Sequence, residues 1–339
     1  MRTNKSKRRH DAYRRAFINV IKPLVALMTV FAMLGAGEFY FRVIHLESDG
    51  FYMTMMGQRW YRECWNPLFT LSNPAYPDDN GTVAYRDRTW TADDLIGKRK
   101  IVVLGDSFAA GHGVCDVSQR FSDQLGAQLG SDYAVMNAAH NGWNTPEEAF
   151  FARYYPFDPD VVVLSYYLND IAPAIASTPN STIKIPELYE RPVDNLTAQL
   201  VNRSYLADYI YWHVLVQRQW SASGESITDT YLKAYNDPAI WQTHSQELQQ
   251  IINWVHSKNA KMIVVVWPIL YSVEQSNEAV DKVSQLFQAQ GIPVINTADL
   301  FAGRSTNDLI ISNIDAHPSV FAHTEVGKAL YTTIKQLGW

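Results

Sequence analysis

The stretch Ile101-Val102-Val103-Leu104-Gly105-Asp106-Ser107-Phe108 joins a short apolar run to a polar turn. A continuous apolar run of this length is typical of a strand that is buried on both faces of a parallel sheet. Glycine and two small polar residues follow at once, so the chain turns sharply where the strand ends. The stretch therefore predicts a buried parallel strand that delivers Ser107 to the edge of a sheet.

Four more apolar runs of this kind follow, at 134–136, 161–165, 262–266 and 293–295. Apolar residues at helical spacing occupy 118–129, 145–153, 241–256 and 320–337, and Thr145-Pro146-Glu147-Glu148 is typical of a capping box that opens a helix. Alternating strands and helices predict a doubly wound parallel sheet with helices on both faces. Active sites in such sheets lie beyond the carboxyl ends of the strands.

Polar residues that suit acyl chemistry follow three of these strands and recur in the final loop. A serine needs a base to become a good nucleophile, and Ser107 is the candidate. Gly142 and Asn169 could donate hydrogen bonds to an oxyanion, from a backbone N–H and a side-chain amide. Asp315, two residues before His317, could fix the histidine's tautomer. Taken singly, each of these residues could simply belong to an ordinary turn or loop. Taken together, they predict a serine hydrolase site.

These residues carry a resemblance to a known family. From about Arg99 to the C-terminus, the chain resembles the SGNH/GDSL hydrolases. Its four blocks are similar to Gly105-Asp106-Ser107-Phe108, Gly142, Asn169 and Asp315-Ala316-His317-Pro318. The resemblance implies an α/β fold, a flavodoxin-like three-layer α/β/α sandwich with a parallel five-stranded sheet, and hydrolysis or transfer of acyl groups.

The resemblance also implies roles for single residues. Ser107 would be the nucleophile, His317 the base and Asp315 the acid of a triad, and the N–H groups of Ser107 and Gly142 would form an oxyanion hole with Asn169. No metal or organic cofactor is implied.

Two departures from the family pattern concern the site. Tyr167 stands where the third block, G-x-N-D, has glycine, and we expect it to narrow the pocket or alter the loop. One residue separates Asp315 from His317, where many members have two. This D-x-H-P form resembles anchored bacterial members, as does Tyr85-Arg86-Asp87 upstream. His140, Asn141 and Tyr167 are the candidates for substrate binding.

Several polar residues near the motifs have simpler interpretations. His112, His140 and His323 could be imagined as metal ligands together with His317, but no H-E-x-x-H or similar spacing supports a metal site. We expect Asp106 and Asp170 to hold loops by hydrogen bonds.

The N-terminus has the composition of a membrane anchor. Residues 1–15 carry seven Lys or Arg and one acid, and residues 16–41 are mostly apolar. A bilayer core needs roughly 20 apolar residues, and the positive-inside rule places the basic end in the cytoplasm and the rest outside. A cleaved signal peptide, with small residues at Ala32, Gly35 and Gly37, and a buried helix of a soluble domain are the alternatives.

The remaining chain divides into a connector at 42–98 and a catalytic domain at 99–339. Turn residues mark the connector, for example at 73–81. An insertion at about 171–240, rich in Pro, Tyr and Trp, could be a substrate lid or a packing subdomain. The two cysteines, Cys64 and Cys115, could form a disulfide or remain two free thiols, because spacing alone does not show proximity.

Composition narrows the function classes. The 339 residues are 47% apolar with a net charge of −5, which argues against disorder and gives no sign of a nucleic-acid partner. The main hypothesis is a membrane-anchored serine esterase that acts on acyl esters, acetyl above all. Acyl transfer to a cell-envelope polysaccharide by the same triad is the alternative, and a non-catalytic glycan-binding protein is the third reading. The sequence leaves the oligomeric state open.

Overall fold

The computed structural model describes residues 3–50, 53–65, 69–72, 82–185, 195–216 and 227–339. Its centre is a sheet of five parallel strands, which are β3 (Arg99–Gly105), β4 (Tyr133–Asn137), β5 (Val161–Tyr167), β6 (Lys261–Trp267) and β7 (Val294–Asn296). Their order across the sheet is β4-β3-β5-β6-β7. All five predicted strands are confirmed, and the order is that of flavodoxin-like folds.

The apolar runs form strands because both faces of the sheet are covered. Along β3, Val102 and Leu104 belong to the core on one face, and Ile101 and Val103 to the core on the other. All four side chains are at most 1% exposed. Burial of each such side chain stabilises the fold by roughly 1.5–3 kcal/mol.

Helices form the two outer layers. Helices α4 (Phe121–Leu129) and α14 (Val320–Gln336) pack on one face, and α5 (Thr145–Ala152), α10 (Pro238–Ser257) and α11 (Val273–Gln288) pack on the other. The capping box predicted at Thr145 and Glu148 is formed one residue earlier, by Asn144 and Glu147. Asn144 precedes the first helical residue, and its backbone N–H donates to the Glu147 carboxylate at 3.1 Å.

Shorter elements connect the layers. They are α2 (Met55–Cys64), α3 (Ser107–Ala110), α6 (Ala172–Ser177), α7 (Asn195–Val201), α8 (Tyr205–Ile210), α9 (Ile227–Asn236), α12 (Thr297–Leu300), α13 (Thr306–Leu309), the hairpin β1 (Phe69–Ser72) with β2 (Thr82–Tyr85), and the pair β8 (Ile310–Ser312) with β9 (Asp315–Pro318). The turn signals at 73–81 lie outside the described residues.

The N-terminal helix α1 (Thr3–Phe39) continues as a π-helical turn at Tyr40–Ile44. Its segment Phe17–Ile44 is the one helix in the described ranges that is long and apolar enough to cross a membrane, and none of its most apolar stretch is buried in the domain. The far end of this helix is fixed. The Glu38 carboxylate accepts hydrogen bonds from the Ser204 hydroxyl at 2.7 Å and from the backbone N–H of Leu206 at 3.1 Å.

These contacts give helix α8, within the insertion, a packing role. Helix α8 contacts α1, the π-helical turn and α2. The Asp208 carboxylate accepts hydrogen bonds from the Met55 backbone at 2.9 Å and from Trp212 Nε1 at 3.1 Å. This part of the insertion therefore joins the apolar helix to the segment that follows it.

A disulfide joins the segment between α1 and the central sheet to the loop after α3. Cys64 and Cys115 are bonded, with their Cα atoms 4.7 Å apart and a sequence separation of 51. The pairing that the sequence left open is therefore made. Arg86 lies beside it, and its guanidinium donates to the carbonyl groups of Cys64 at 3.0 Å and Cys115 at 3.2 Å.

Loss of this disulfide is expected to destabilise the fold, because the crosslink restricts the unfolded chain. We expect the double substitution Cys64→Ser and Cys115→Ser to lower the free energy of unfolding by about 2–4 kcal/mol. Urea denaturation of both proteins would measure this. A midpoint in the double variant equal to that of the oxidised wild type would contradict the expectation, and wild type under reductant should match the variant.

Candidate active site

A tight turn at the end of β3 presents Ser107. Asp106 precedes α3, and its carboxylate accepts the Phe108 backbone N–H at 2.8 Å, so Ser107 becomes the first helical residue. Gly105 makes the turn possible. A Cβ at this position would lie 2.8 Å from the carbonyl oxygen of Ser165 on the neighbouring strand. The Ser107 side chain remains half-buried at the strand end.

Ser107, His317 and Asp315 are brought into one hydrogen-bonded chain. The His317 Nε2 atom lies 2.8 Å from Ser107 Oγ, and its Nδ1 lies 2.5 Å from Asp315 Oδ1. A carboxylate can only accept, so Nδ1 carries the hydrogen and Nε2 is left to accept the serine proton. Asp315 and His317 lie in β9 with one residue between them, and this spacing still brings the two side chains together. The His317 backbone N–H also donates to Asp315 Oδ1, at 3.1 Å.

The Asp315 carboxyl group is completely buried, yet its charge is favoured. Burial raises the pKa of Asp315, but the charge of His317 and its hydrogen bond, with smaller contributions from His112 and Ser48, bring that pKa below its ordinary value. The group is therefore placed to remain an anion next to His317.

The two oxyanion candidates stand on either side of Ser107. In the order β4-β3-β5, Gly142 follows β4, Ser107 follows β3 and Asn169 follows β5, so all three lie at the carboxyl edge of neighbouring strands. Gly142 has φ of 81° and is exposed, with open space where a Cβ would be. Asn169 lies half-buried in the 3-10 turn Leu168–Ile171.

The three substrate-binding candidates occupy different places. The Tyr167 ring stacks on Phe108 at 3.9 Å between centroids, and the Phe108 ring lies 5.6 Å from that of His317. Tyr167 therefore adds to an aromatic wall beside the hydrogen-bonded chain. Asn141 donates from Nδ2 to His112 Nδ1 at 2.8 Å, whereas His140 stacks on Trp143 at 5.0 Å.

His112 is a neighbour of the site whose role the sequence reasoning missed, since it considered this residue only as a metal ligand. It is 1% exposed, and its ring centroid lies 4.3 Å from that of His317. Its Nε2 donates to the Asp49 carbonyl at 2.7 Å, and Nδ1 therefore accepts from Asn141. Burial, with the nearby charge of His317, lowers the pKa of His112 to about 4, so the ring is neutral at neutral pH.

By distance alone, His112, Asp315 and His317 could surround an ion, since their ligand atoms lie within 4.8 Å of one another. The hydrogen bonds favour another interpretation. Each ring nitrogen of the two histidines already faces a protein group, namely Asn141, the Asp49 carbonyl, Asp315 or Ser107. His323, another histidine considered as a ligand, lies in the core, stacked on Phe121.

Ser48 is the second neighbour that sequence reasoning missed. It is 1% exposed, and its hydroxyl donates to Asp315 Oδ2. The two residues are 267 positions apart, and no motif surrounds Ser48 that would mark it. The Tyr85-Arg86-Asp87 segment, by contrast, was recognised in the sequence. Its Asp87 carboxylate accepts a hydrogen bond from the Asn137 backbone N–H at 2.8 Å, and so holds the end of β4.

Three buried carboxyl groups, those of Asp106, Asp170 and Glu148, interact electrostatically near Ser107. As expected, Asp106 and Asp170 hold loops, and Asp170 accepts the Tyr167 backbone N–H at 3.3 Å. Glu148 is 0% exposed, and neither of its carboxyl oxygens has a hydrogen-bond partner among the described residues. Burial, followed by the charges of Asp106 and Glu147, raises the pKa of Glu148 well above its ordinary value.

Glu148 should therefore make stability depend on pH. An acid whose pKa is raised in the fold keeps its proton while the unfolded chain has already lost it, so its contribution falls as pH rises through the folded pKa. The amide of Glu148→Gln does not titrate, so the unfolding free energy of this variant should not show that fall. Between pH 5 and pH 8, we expect the difference in unfolding free energy, variant minus wild type, to increase by at least about 1 kcal/mol. The exposed Glu278→Gln is the control, and a Glu148→Gln difference that stays constant with pH would contradict the assignment.

Comparison with known proteins agrees with the motifs. The model of the GDSL-like lipase/acylhydrolase family matches residues 103–324, which include both Ser107 and His317. No curated protein sequence matches the chain at a significant level.

Similar solved structures include three hydrolases. The lipase/acylhydrolase from Enterococcus faecalis is 17% identical, with a TM-score of 0.44, and the match covers 70% of this chain and 96% of that one. A carbohydrate acetylesterase family member from Sinorhizobium meliloti is 14% identical (TM-score 0.42; 71% and 100% covered). The psychrotrophic esterase EstA from Pseudoalteromonas sp. is 15% identical (TM-score 0.41; 71% and 98% covered).

The family match spans about two-thirds of the chain, from within β3 into α14. It covers the end of β3 and the other four strands of the parallel sheet, together with the loops that carry the hydrogen-bonded chain. The protein therefore belongs to the GDSL-like lipase/acylhydrolase family, as the resemblance to SGNH/GDSL hydrolases implied.

Proposed function

We propose that this protein is a membrane-anchored serine esterase that hydrolyses short acyl esters, acetyl esters above all, outside the cytoplasmic membrane. One observation carries the catalytic part of the proposal. The Ser107 hydroxyl, the His317 ring and the Asp315 carboxylate form an unbroken chain of hydrogen bonds of 2.8 Å and 2.5 Å at the carboxyl edge of a parallel sheet.

The proposed reaction has two halves. Ser107 Oγ attacks the ester carbonyl while His317 Nε2 takes its proton, and His317 then protonates the leaving alcohol. Water, activated by the same histidine, releases the acyl group from Ser107. We propose that the N–H groups of Ser107 and Gly142 and the Asn169 amide hold the negative charge that develops on the carbonyl oxygen.

The aromatic wall supports a preference for a small acyl group. Tyr167 occupies the position of a family glycine, and its ring lies 3.9 Å from Phe108, beside His317. Bulk at this position leaves less room next to the nucleophile than glycine would. Acetyl esters are therefore the proposed substrates, with His140 and Asn141 as candidates for contact with the alcohol part.

Acyl transfer remains the second candidate. An acceptor hydroxyl, such as that of a cell-envelope polysaccharide, would replace water in the second half-reaction and would need no change in the triad. Incubation with an acetyl donor and candidate glycans separates the two. Free acetate as the sole product supports hydrolysis, and acetylated glycan supports transfer.

The location outside the membrane rests on three features. Segment Phe17–Ile44 can span a bilayer, the residues before it are basic, and Cys64 and Cys115 form a disulfide, which is typical of oxidising compartments. We propose a single-pass anchor with the N-terminus in the cytoplasm and the catalytic domain outside.

Ser107→Ala is expected to reduce turnover of p-nitrophenyl acetate by at least about 10⁴-fold, because the covalent step is lost. Labelling by a fluorophosphonate should disappear in the same variant. Ser118→Ala, which changes an exposed serine outside the hydrogen-bonded chain, is the control. Undiminished labelling of the Ser107→Ala protein would remove Ser107 as the nucleophile.

The anchor can be tested in the full chain. In spheroplasts, external protease should digest the catalytic domain, and the intact protein should remain in the pellet after carbonate extraction. Two arginines at the helix centre, Leu27→Arg with Phe31→Arg, should release it, since each costs about 2.5–3.5 kcal/mol in a bilayer. Leu27→Ile is the matched control. A wild-type protein that carbonate extracts would disprove the anchor without affecting the esterase proposal.

A further inference from the structure

The two oxygens of Asp315 have different partners. Oδ1 accepts from the ring and the backbone of His317. Oδ2 accepts from the Ser48 hydroxyl, while the nearby His112 Nε2 atom is 3.7 Å away and donates to the Asp49 carbonyl instead. A buried carboxylate oxygen without a donor would be costly, so the Ser48 hydroxyl meets a requirement that the fold creates.

Ser48 is held firmly in this position. The next residue, Asp49, accepts hydrogen bonds through its carboxylate from the Thr54 backbone at 2.8 Å and the Thr54 hydroxyl at 2.6 Å, at the start of α2. The Gly50 N–H then donates to the Ile314 carbonyl, immediately before Asp315, at 3.4 Å. Ser48 is thus fixed between α2 and the loop that carries the acid.

Space around the hydroxyl is also limited. A Cβ on Gly113, in the loop closed by the disulfide, would lie 3.2 Å from Ser48 Oγ and 2.4 Å from the Ile311 side chain. The loop after the nucleophile, the loop of the acid and the segment after the N-terminal helix therefore meet at Ser48.

A carboxylate held at one oxygen can rotate about its Cβ–Cγ bond, whereas one held at both oxygens cannot. We propose that Ser48 is a positioning residue for catalysis, whose hydroxyl fixes the plane of the Asp315 carboxylate so that Oδ1 faces His317 Nδ1. This inference rests on the proposed serine esterase function and extends its machinery to the segment directly after the N-terminal helix.

The test compares Ser48→Ala with wild type as full chains in detergent, with p-nitrophenyl acetate as substrate. Loss of a hydrogen bond to a charged group predicts a fall in kcat of about 10- to 100-fold, with KM changed by less than about twofold. Ser48→Thr, which keeps the hydroxyl but adds a methyl group in this limited space, should retain more of the rate than Ser48→Ala. Ser204→Ala is the matched control, because this serine also donates to a carboxylate, that of Glu38, away from the site.

A double-mutant cycle separates positioning from a general structural effect. If Ser48 acts through Asp315, Ser48→Ala should cost no further activity in an Asp315→Asn protein, and the two changes should not add. Full wild-type kcat in Ser48→Ala, or an equal loss in the Asp315→Asn background, would overturn the proposal. Either result would leave the esterase proposal intact as long as Ser107→Ala abolishes turnover, and retained activity in Ser107→Ala would remove the esterase proposal itself.

Discussion

The buried negative charge of Asp315 is the constraint around which the site is organised. Out of water, a carboxylate needs donors for both oxygens, and the chain supplies them from two regions that are far apart in sequence. His317 lies two residues on, but Ser48 comes from before the first strand of the sheet. The α/β fold and the segment that precedes its sheet are therefore one structural unit at this point.

The scaffold around this charge is rigid for identifiable reasons. Strands buried on both faces fix where Ser107 and Asn169 leave the sheet, and Gly105 permits the close approach to Ser165. The guanidinium of Arg86, 1% exposed, donates to the Gly111 and Val114 carbonyls at 2.6 Å each. These bonds hold the loop that carries His112, and the disulfide ends the same loop.

The parts of the structure that could be predicted from sequence are those with a local pattern. A strand buried on both faces must be apolar throughout, so five strands could be recognised, and the motif residues could be placed at their ends. The N-cap was predicted at Thr145, one residue after its position at Asn144, because both are good capping residues before Pro146. Ser48, His112 and the disulfide depend on tertiary proximity, which leaves no periodic trace in the chain.

The link between the N-terminal helix and Ser48 is short. Four residues after Ile44 can span at most roughly 14 Å. Glu38 and Arg42 also hold the end of the helix against Ser204 and the Arg203 carbonyl. With the proposed anchor, the enzyme would work at a fixed height just above the lipid headgroups. No flexible linker would let its active site move away from the bilayer. Esters attached far out in the cell envelope would have to come down to this layer, whereas those on molecules at the bilayer surface would already be within reach.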